Sequence, residues 1–161
     1  MIIQIKPPDS RYPTTEYFKI FLAGSIEMGK ADDWQNSVVE SLTRRITTKN
    51  LCIFNPRRND WDSSWKASIE NKEFVYQVEW ELERILKSDL VVFYFQPGTI
   101  SPISLLELGI VSGKNKNCIV YCPDNFHRKG NIDVTTRWFQ IETAESFEDF
   151  INKIESNILK H

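Results

Sequence analysis

Short, unbroken apolar runs alternate along the chain with longer segments in which apolar residues recur every three or four positions. The runs predict strands over residues 18–23, 51–54, 90–95, 118–121 and 138–141. Their apolar character is continuous rather than alternating, as in strands buried on both faces. The periodic segments predict helices over 32–46, 72–87, 102–114 and 144–160. In the second of these, Phe74, Val78, Leu82 and Ile85 recur at helical spacing and form a core stripe. Strands alternating with helices predict an α/β fold, a mostly parallel five-stranded sheet wound on both faces by helices. Residues 1–16 are expected to form an irregular N-terminal arm, because Lys6-Pro7-Pro8 ends the first apolar run; 6–15 reads alternatively as a short edge strand with a turn.

Length and composition fit one domain spanning 1–161: the 161 residues are 41% hydrophobic and 26% charged, with no repeat, linker or low-complexity tract. A formal net charge of −2 argues against a dominant basic surface, and so against a nucleic acid polymer as partner. No stretch is apolar for long enough to suggest a membrane span or a signal peptide, which predicts a cytoplasmic protein. Cys52, Cys118 and Cys122 form no pair of CxxC motifs and sit in or beside strand-like runs, so they are expected as reduced core residues.

Ligands of such sheets bind outside the carboxyl ends of the strands, near the place where strand order reverses. That rule selects the loops 24–32, 55–71, 96–101 and 123–136. In the first, Gly24 and Ser25 let backbone approach a ligand closely, although neither GxGxxG nor a P-loop Lys is present. In the second, Arg57 and Arg58 can either hold a phosphate or carboxylate or pin the loop through Asp60 and Asp62, with Trp61 and Trp65 nearby. The fourth loop carries His127, Lys129, Asn131 and Asp133 and is read either as a cover over the site or as a solvated turn; no Ser or Cys nucleophile motif accompanies the histidine.

Two carboxylates stand out. Ser101 and Pro102 have the N-cap and first-turn identities of a helix start, which puts Glu107 in the second turn among Leu105, Leu106, Leu108, Ile110 and Val111. A carboxylate there is paired, protonated, turned into a polar pocket, or at the solvent rim. On the preceding helix, Gln77 and Glu81 share a face beside the core stripe and reach the top of the sheet only if that face turns toward the site. Otherwise Glu81 is solvated surface charge, like Glu79 and Glu83.

Taken together, Phe21-Leu22-Ala23-Gly24-Ser25, Asn55-Pro56-Arg57-Arg58, Trp80-Glu81-Leu82 ahead of Ser88-Asp89, the segment 101–109 with its Glu-Leu-Gly, and Lys129-Gly130-Asn131-Ile132-Asp133 resemble nucleoside 2-deoxyribosyltransferases and the related nucleotide N-glycosidases. The resemblance implies a flavodoxin-like (Rossmann-like) domain that cleaves the N-glycosidic bond of a (2-deoxy)nucleoside or nucleotide. The sugar passes either to another nucleobase or to water. It implies Glu107 as nucleophile, Glu81 in sugar binding or proton transfer, and Asp89 in a structural role. Substrate contacts are expected from Gly24, Ser25, Asn55, Arg57, Arg58, Gln77, Thr99, Ser101, Asn131 and Asp133. A covalent glycosyl-Glu107 fits the oxocarbenium character of such reactions, with the helix N-terminus helping to keep the carboxylate ionised. Arg57, Arg58 or Lys129 is the expected receptor of a 5′-phosphate. The family's loop Asp before the nucleophile is missing, for Gln96, Thr99 and Ser101 stand there. Asn131 resembles an Asn donated by a neighbouring subunit, which implies a homo-oligomer. No cofactor and no metal is called for. Two further classes stay open: a non-catalytic nucleotide-binding module, and an interaction domain in which Glu107 is structural.

Overall fold

Strands β1 (Ile2–Ile5), β2 (Phe18–Gly24), β3 (Leu51–Phe54), β4 (Leu90–Tyr94), β5 (Cys118–Tyr121) and β6 (Glu142–Ala144) form one sheet in the order β1-β3-β2-β4-β5-β6, with every neighbouring pair parallel. The computed structural model describes residues 1–27, 31–58 and 64–161. Helices α1 (Trp34–Arg45), α2 (Lys72–Lys87), α3 (Pro102–Gly113), α4 (Lys129–Trp138) and α5 (Phe147–Lys160) connect or follow the strands. One apolar cluster joins Trp34, Val38 and Leu42 of α1 and Phe150 and Ile154 of α5 to Ile20, Leu22 and Val92. The other joins Trp80 and Ile85 of α2, Leu108 and Val111 of α3 and Ile132 of α4 to Phe21 and Phe93. Helices thus cover both faces. Among the described residues, no helix is long and apolar enough to cross a membrane.

The sheet has six strands rather than five. The additional strand is β1, which lies in register with β3 from Ile2 opposite Leu51 to Ile5 opposite Phe54. The remaining order is that of a doubly wound sheet: the chain leaves β2 through α1 to β3 on one side and returns through α2 to β4 on the other. Strand order therefore reverses between β2 and β4. Two local expectations shift. Residues 129–136, expected as loop, lie in α4, whose buried positions are Ile132 and Thr136. The last strand is Glu142–Ala144 instead of 138–141, because Trp138 ends α4 as an exposed residue and the edge strand carries polar Glu142 and Thr143 outward.

The starts of α1, α2 and α5 are capped by side chains: Asp33 accepts from Asn36 N, Asn71 from Phe74 N and Ser146 from Asp149 N. The arm before β2 lies along α2. Tyr76 donates to Pro8 O at 2.8 Å, Trp80 Nε1 to Asp9 O at 2.7 Å and Arg84 to Ser10 O at 3.0 Å. The buried Arg84 guanidinium also stacks over Tyr12, Phe54 and Trp80, which holds α2 in place under a charge that would otherwise be costly. Burial pushes the Cys52 and Cys122 thiols up to about 12 and raises Cys118 as well, which favours the protonated thiol in all three.

Gly24 ends β2 with φ 142°, and a Cβ added there would sit 2.2 Å from Tyr94 O in β4. Backbone of adjacent strands, not a movable side chain, occupies that space. Gly24→Ala is expected to cost roughly 3 kcal/mol or more, read as a loss of melting temperature.

Candidate functional site

At the strand reversal the loops after β2 and β4 are tied together by hydroxyl groups. Ser25 Oγ lies 2.8 Å from Thr99 Oγ1 and 2.7 Å from Ser101 Oγ, and these two lie 2.9 Å apart. Gln96 N donates to Ser25 Oγ at 2.9 Å, and Thr99 donates to Gln96 O at 2.8 Å. All three hydroxyls are buried, and they satisfy one another. Trp34 adds a bond from Nε1 to Ser25 O at 2.9 Å and stacks on Tyr94, fixing the same corner from the α1 side. Ser101 therefore ends as an unusual N-cap: its φ is 47° and its hydroxyl faces Ser25 and Thr99 instead of capping α3.

Sequence reasoning gave Glu27 no role. Its carboxylate crosses from the β2 loop and accepts from Ile100 N and, at 2.6 Å, from Ser101 N. A lone glutamate in a loop leaves no periodic signal. Its φ of 40° and the approach of the two loops belong to the folded chain alone.

From the β3 loop, Asn55 is buried and its Oδ1 accepts from Arg57 N at 2.9 Å, closing a turn that aims the two arginines in different directions. Arg57 donates to Asp32 O at 2.8 Å, Ala31 O at 3.2 Å and Gln35 Oε1 at 3.3 Å. Its guanidinium thus binds the chain leading into α1. Arg58 donates to Gln77 Oε1 at 3.3 Å and stands over the Trp65 ring at 5.0 Å. Asp60, Trp61 and Asp62, named as possible partners or stacking groups in this loop, lie outside the described residues. Because Arg57 spends its donors largely on main-chain carbonyls, Arg57→Ala is expected to lower stability by about 1–3 kcal/mol, read as a loss of melting temperature.

Helix α2 turns the Gln77 face inward. Its buried residues are Gln77, Trp80, Arg84 and Ile85, whereas Phe74, Val78 and Leu82 of the expected stripe are only partly buried. The reason is Trp80, which packs against Phe21 and Phe54 and so rotates the neighbouring Gln77 and Glu81 into the same layer. Arg58 holds the Gln77 carbonyl oxygen, so the amide nitrogen points the other way and donates to Glu81 Oε1 at 2.6 Å. Glu81 is pushed up to about 7, by burial first and despite that bond.

Glu107, 7% exposed, is the buried carboxyl of α3. Burial raises it well above the ordinary carboxylate range and the charge of Glu81 raises it further. The helix N-terminus was expected to keep Glu107 ionised. Instead its second-turn position is beyond the reach of the helix ends, and desolvation beside a second carboxylate prevails. The two groups titrate as a pair, and burial favours the protonated form of both.

The remaining expected contacts fall elsewhere. Asp89, just before β4, accepts from Lys19 N at 2.8 Å and so ties the lower ends of β2 and β4. On α4, Lys129 Nζ donates to both oxygens of Asp133, at 2.5 and 2.7 Å, and Asp124 lies 3.8 Å from it. Asn131 is exposed and lines a groove of about 320 Å³ between α3 and α4, with Leu105, Leu108, Gly109, Arg128, Ile132 and Thr135. Neither carboxylate lines this groove. Gly24, Ser25, Thr99, Ser101, Asn55, Arg58, Gln77, Glu81 and Glu107 thus gather around the strand reversal and the α2–α3 layer, while Asn131 and Asp133 sit on α4.

A solved structure with the same architecture is the conserved protein from Enterococcus faecalis V583, at TM-score 0.62 and 18% identity, covering 87% of this chain and 98% of that one. That likeness concerns the fold. Among curated proteins nothing matches. The family model described as nucleoside 2-deoxyribosyltransferase like matches residues 17–126, from the start of β2 through Phe126 ahead of α4. That match takes in both carboxylates and most of the chain, which belongs to the nucleoside 2-deoxyribosyltransferase-like family.

Proposed function

We propose that this protein cleaves the N-glycosidic bond of a 2-deoxynucleoside-type substrate with Glu107 as nucleophile and Glu81 as its proton partner. The observation that carries this reading is the carboxylate pair: buried Glu107 and half-buried Glu81 on successive helices, both raised, one of them oriented by a bonded amide. Pairs of this kind mark functional sites, since burial without a partner charge is otherwise destabilising.

The step balances without a further reagent. As the C1′–N bond weakens, the electron pair stays with the base and positive charge grows at C1′. Glu107 gives its proton, through Glu81, to the departing base, and its carboxylate oxygen bonds to C1′. The free base and a glycosyl-Glu107 ester result. In the second half, an acceptor base or water attacks C1′, the ester bond breaks, and the proton lost by the attacking group returns to the pair. This route supplies the base with a proton although the loop 96–101 holds no carboxylate of its own. Two displacements retain the configuration at C1′.

Self-association is part of the proposal. Helix α3 exposes Ile103 and Leu106, and α4 exposes Val134 and Trp138, apolar side chains that a second copy would cover. Asn131 lies on the same helix as the latter two.

The test is incubation of the protein with 2′-deoxynucleosides and ribonucleosides, each with and without a free acceptor base, with products separated and weighed by chromatography and mass spectrometry. A new nucleoside formed only with acceptor establishes transfer. Free base formed without acceptor establishes hydrolysis. Ligand binding with no base released from any of them would instead support the binding module.

A further inference from the structure

The carboxylate of Glu27 spans the crevice at the strand reversal, reaching from the loop after β2 to the amides of Ile100 and Ser101 in the loop after β4. Two successive amides, with Ser101 in the left-handed region at φ 47°, make a concavity of the kind that receives anions. They stand at the start of a twelve-residue helix, whose positive end favours the same charge. Glu27 is itself held at φ 40°, and strained residues of this kind persist where the surroundings over-determine them. The anion that this nest would take is already supplied, by the chain.

Resting on the carboxylate-pair reading above, we propose that Glu27 is a specificity-determining residue: it makes the site accept nucleosides with a free 5′-hydroxyl and reject their 5′-monophosphates. Ser101 and Glu107 are about 9 Å apart along α3 at 1.5 Å of rise per residue, and the Glu107 side chain leans back toward the helix start. A sugar seated on Glu107 therefore has the nest within the length of one nucleoside. The leaving base has to face Glu81, whose proton it takes, so the 5′ end is directed toward Glu27. A phosphate arriving there meets a like charge seated on the amides it needs. A hydroxyl meets an acceptor to which it can donate. The cations expected to hold a phosphate are engaged otherwise: Arg57 binds main-chain carbonyls, Arg58 binds the Gln77 side chain and stands over Trp65, and Lys129 binds Asp133 on its own helix.

The experiment compares matched 2′-deoxynucleosides and 5′-monophosphates on wild type, Glu27→Gln and Glu27→Ser. Gln keeps one oxygen for the amides and removes the charge; Ser also vacates the nest. Wild type is expected to favour the nucleoside at least tenfold in kcat/KM, and Glu27→Ser to narrow that ratio at least tenfold, with Glu27→Gln between them. Wild type using the monophosphate as well as the nucleoside, or a ratio unmoved in both variants, overturns the inference. Calorimetric Kd values for the same pairs decide it separately from the chemistry. If no base is released the carboxylate-pair reading fails, while the Kd ratio still supports or refutes the role of Glu27.

Discussion

Glu107→Gln is expected to lower kcat/KM for base release at least ~10³-fold, the scale on which removal of a group that bonds to the reacting atom is felt. Gln fills the same volume and carries no charge, so the fold should remain. The isostere matters because two accounts of Glu107 diverge at this point. If it is a nucleophile, the variant is folded, binds substrate and does not release base. If it is a structural group, there is no reaction to lose and only the melting temperature moves. Base release by the variant within tenfold of wild type would remove Glu107 from the chemistry. Glu81→Gln should be damaging too, but less so, because the base can draw its proton from solvent when its usual donor is gone, whereas C1′ has no second carboxylate to take.

The largest effect on stability should come from the same pair, and it should run against activity. A carboxyl whose pKa is higher folded than unfolded binds more protons in the native state between the two values. Stability then falls as pH rises through that window. For Glu81 the window runs from the ordinary 4.5 to about 7, and its full width is worth on the order of 3 kcal/mol. Glu107, raised as well, adds to the decline. Activity needs the pair to hold one proton instead of two, so kcat/KM should climb through an acid limb with an apparent pKa of about 7 while the melting temperature drops. The doubly neutral variant, Glu81→Gln with Glu107→Gln, should match wild type near pH 4.5 and exceed it by roughly 5–10 °C at pH 8. Melts across that range would contradict the account if wild type and the variant stayed parallel. An active site that destabilises its own protein above neutrality is the expected cost of a buried, like-charged pair.

The strands buried on both faces were legible because burial on both faces leaves an unbroken apolar run; Phe18–Gly24, Leu51–Phe54, Leu90–Tyr94 and Cys118–Tyr121 lie where such runs occur. The elements that escaped are those the sheet buries least. β6 carries exposed Glu142 and Thr143, while the apolar residues just before it include Trp138, left open to solvent. α4 buries Ile132 and Thr136. Half of its stripe is a threonine, whose hydroxyl bonds back to Ile132 O, and periodicity in apolar letters passes over it. β1 sits at the sheet edge, where a four-residue run gives too little pattern to separate from an arm.

The site divides along the same line. Glu107 could be singled out because an acidic letter in an apolar helix is anomalous on its face, and Gln77 with Glu81 because helical spacing puts them side by side. Which way α2 turns them was decided by Trp80, a residue whose packing against Phe21 and Phe54 no local pattern encodes. The two arginines look alike in sequence, yet Asn55 turns the chain between them so that one braces α1 and the other orients Gln77. Glu27 depended on two loops meeting at the point of strand reversal, a contact that exists only after β4 has crossed to the far side of β2.

The most direct test of a covalent glycosyl-Glu107 is peptide mass mapping after an acid quench of the protein turning over a 2′-deoxynucleoside. A sugar adduct on the peptide carrying Glu107, absent from Glu107→Gln, is the predicted result. Base release with no adduct on that peptide, together with a product of inverted configuration at C1′, would contradict it.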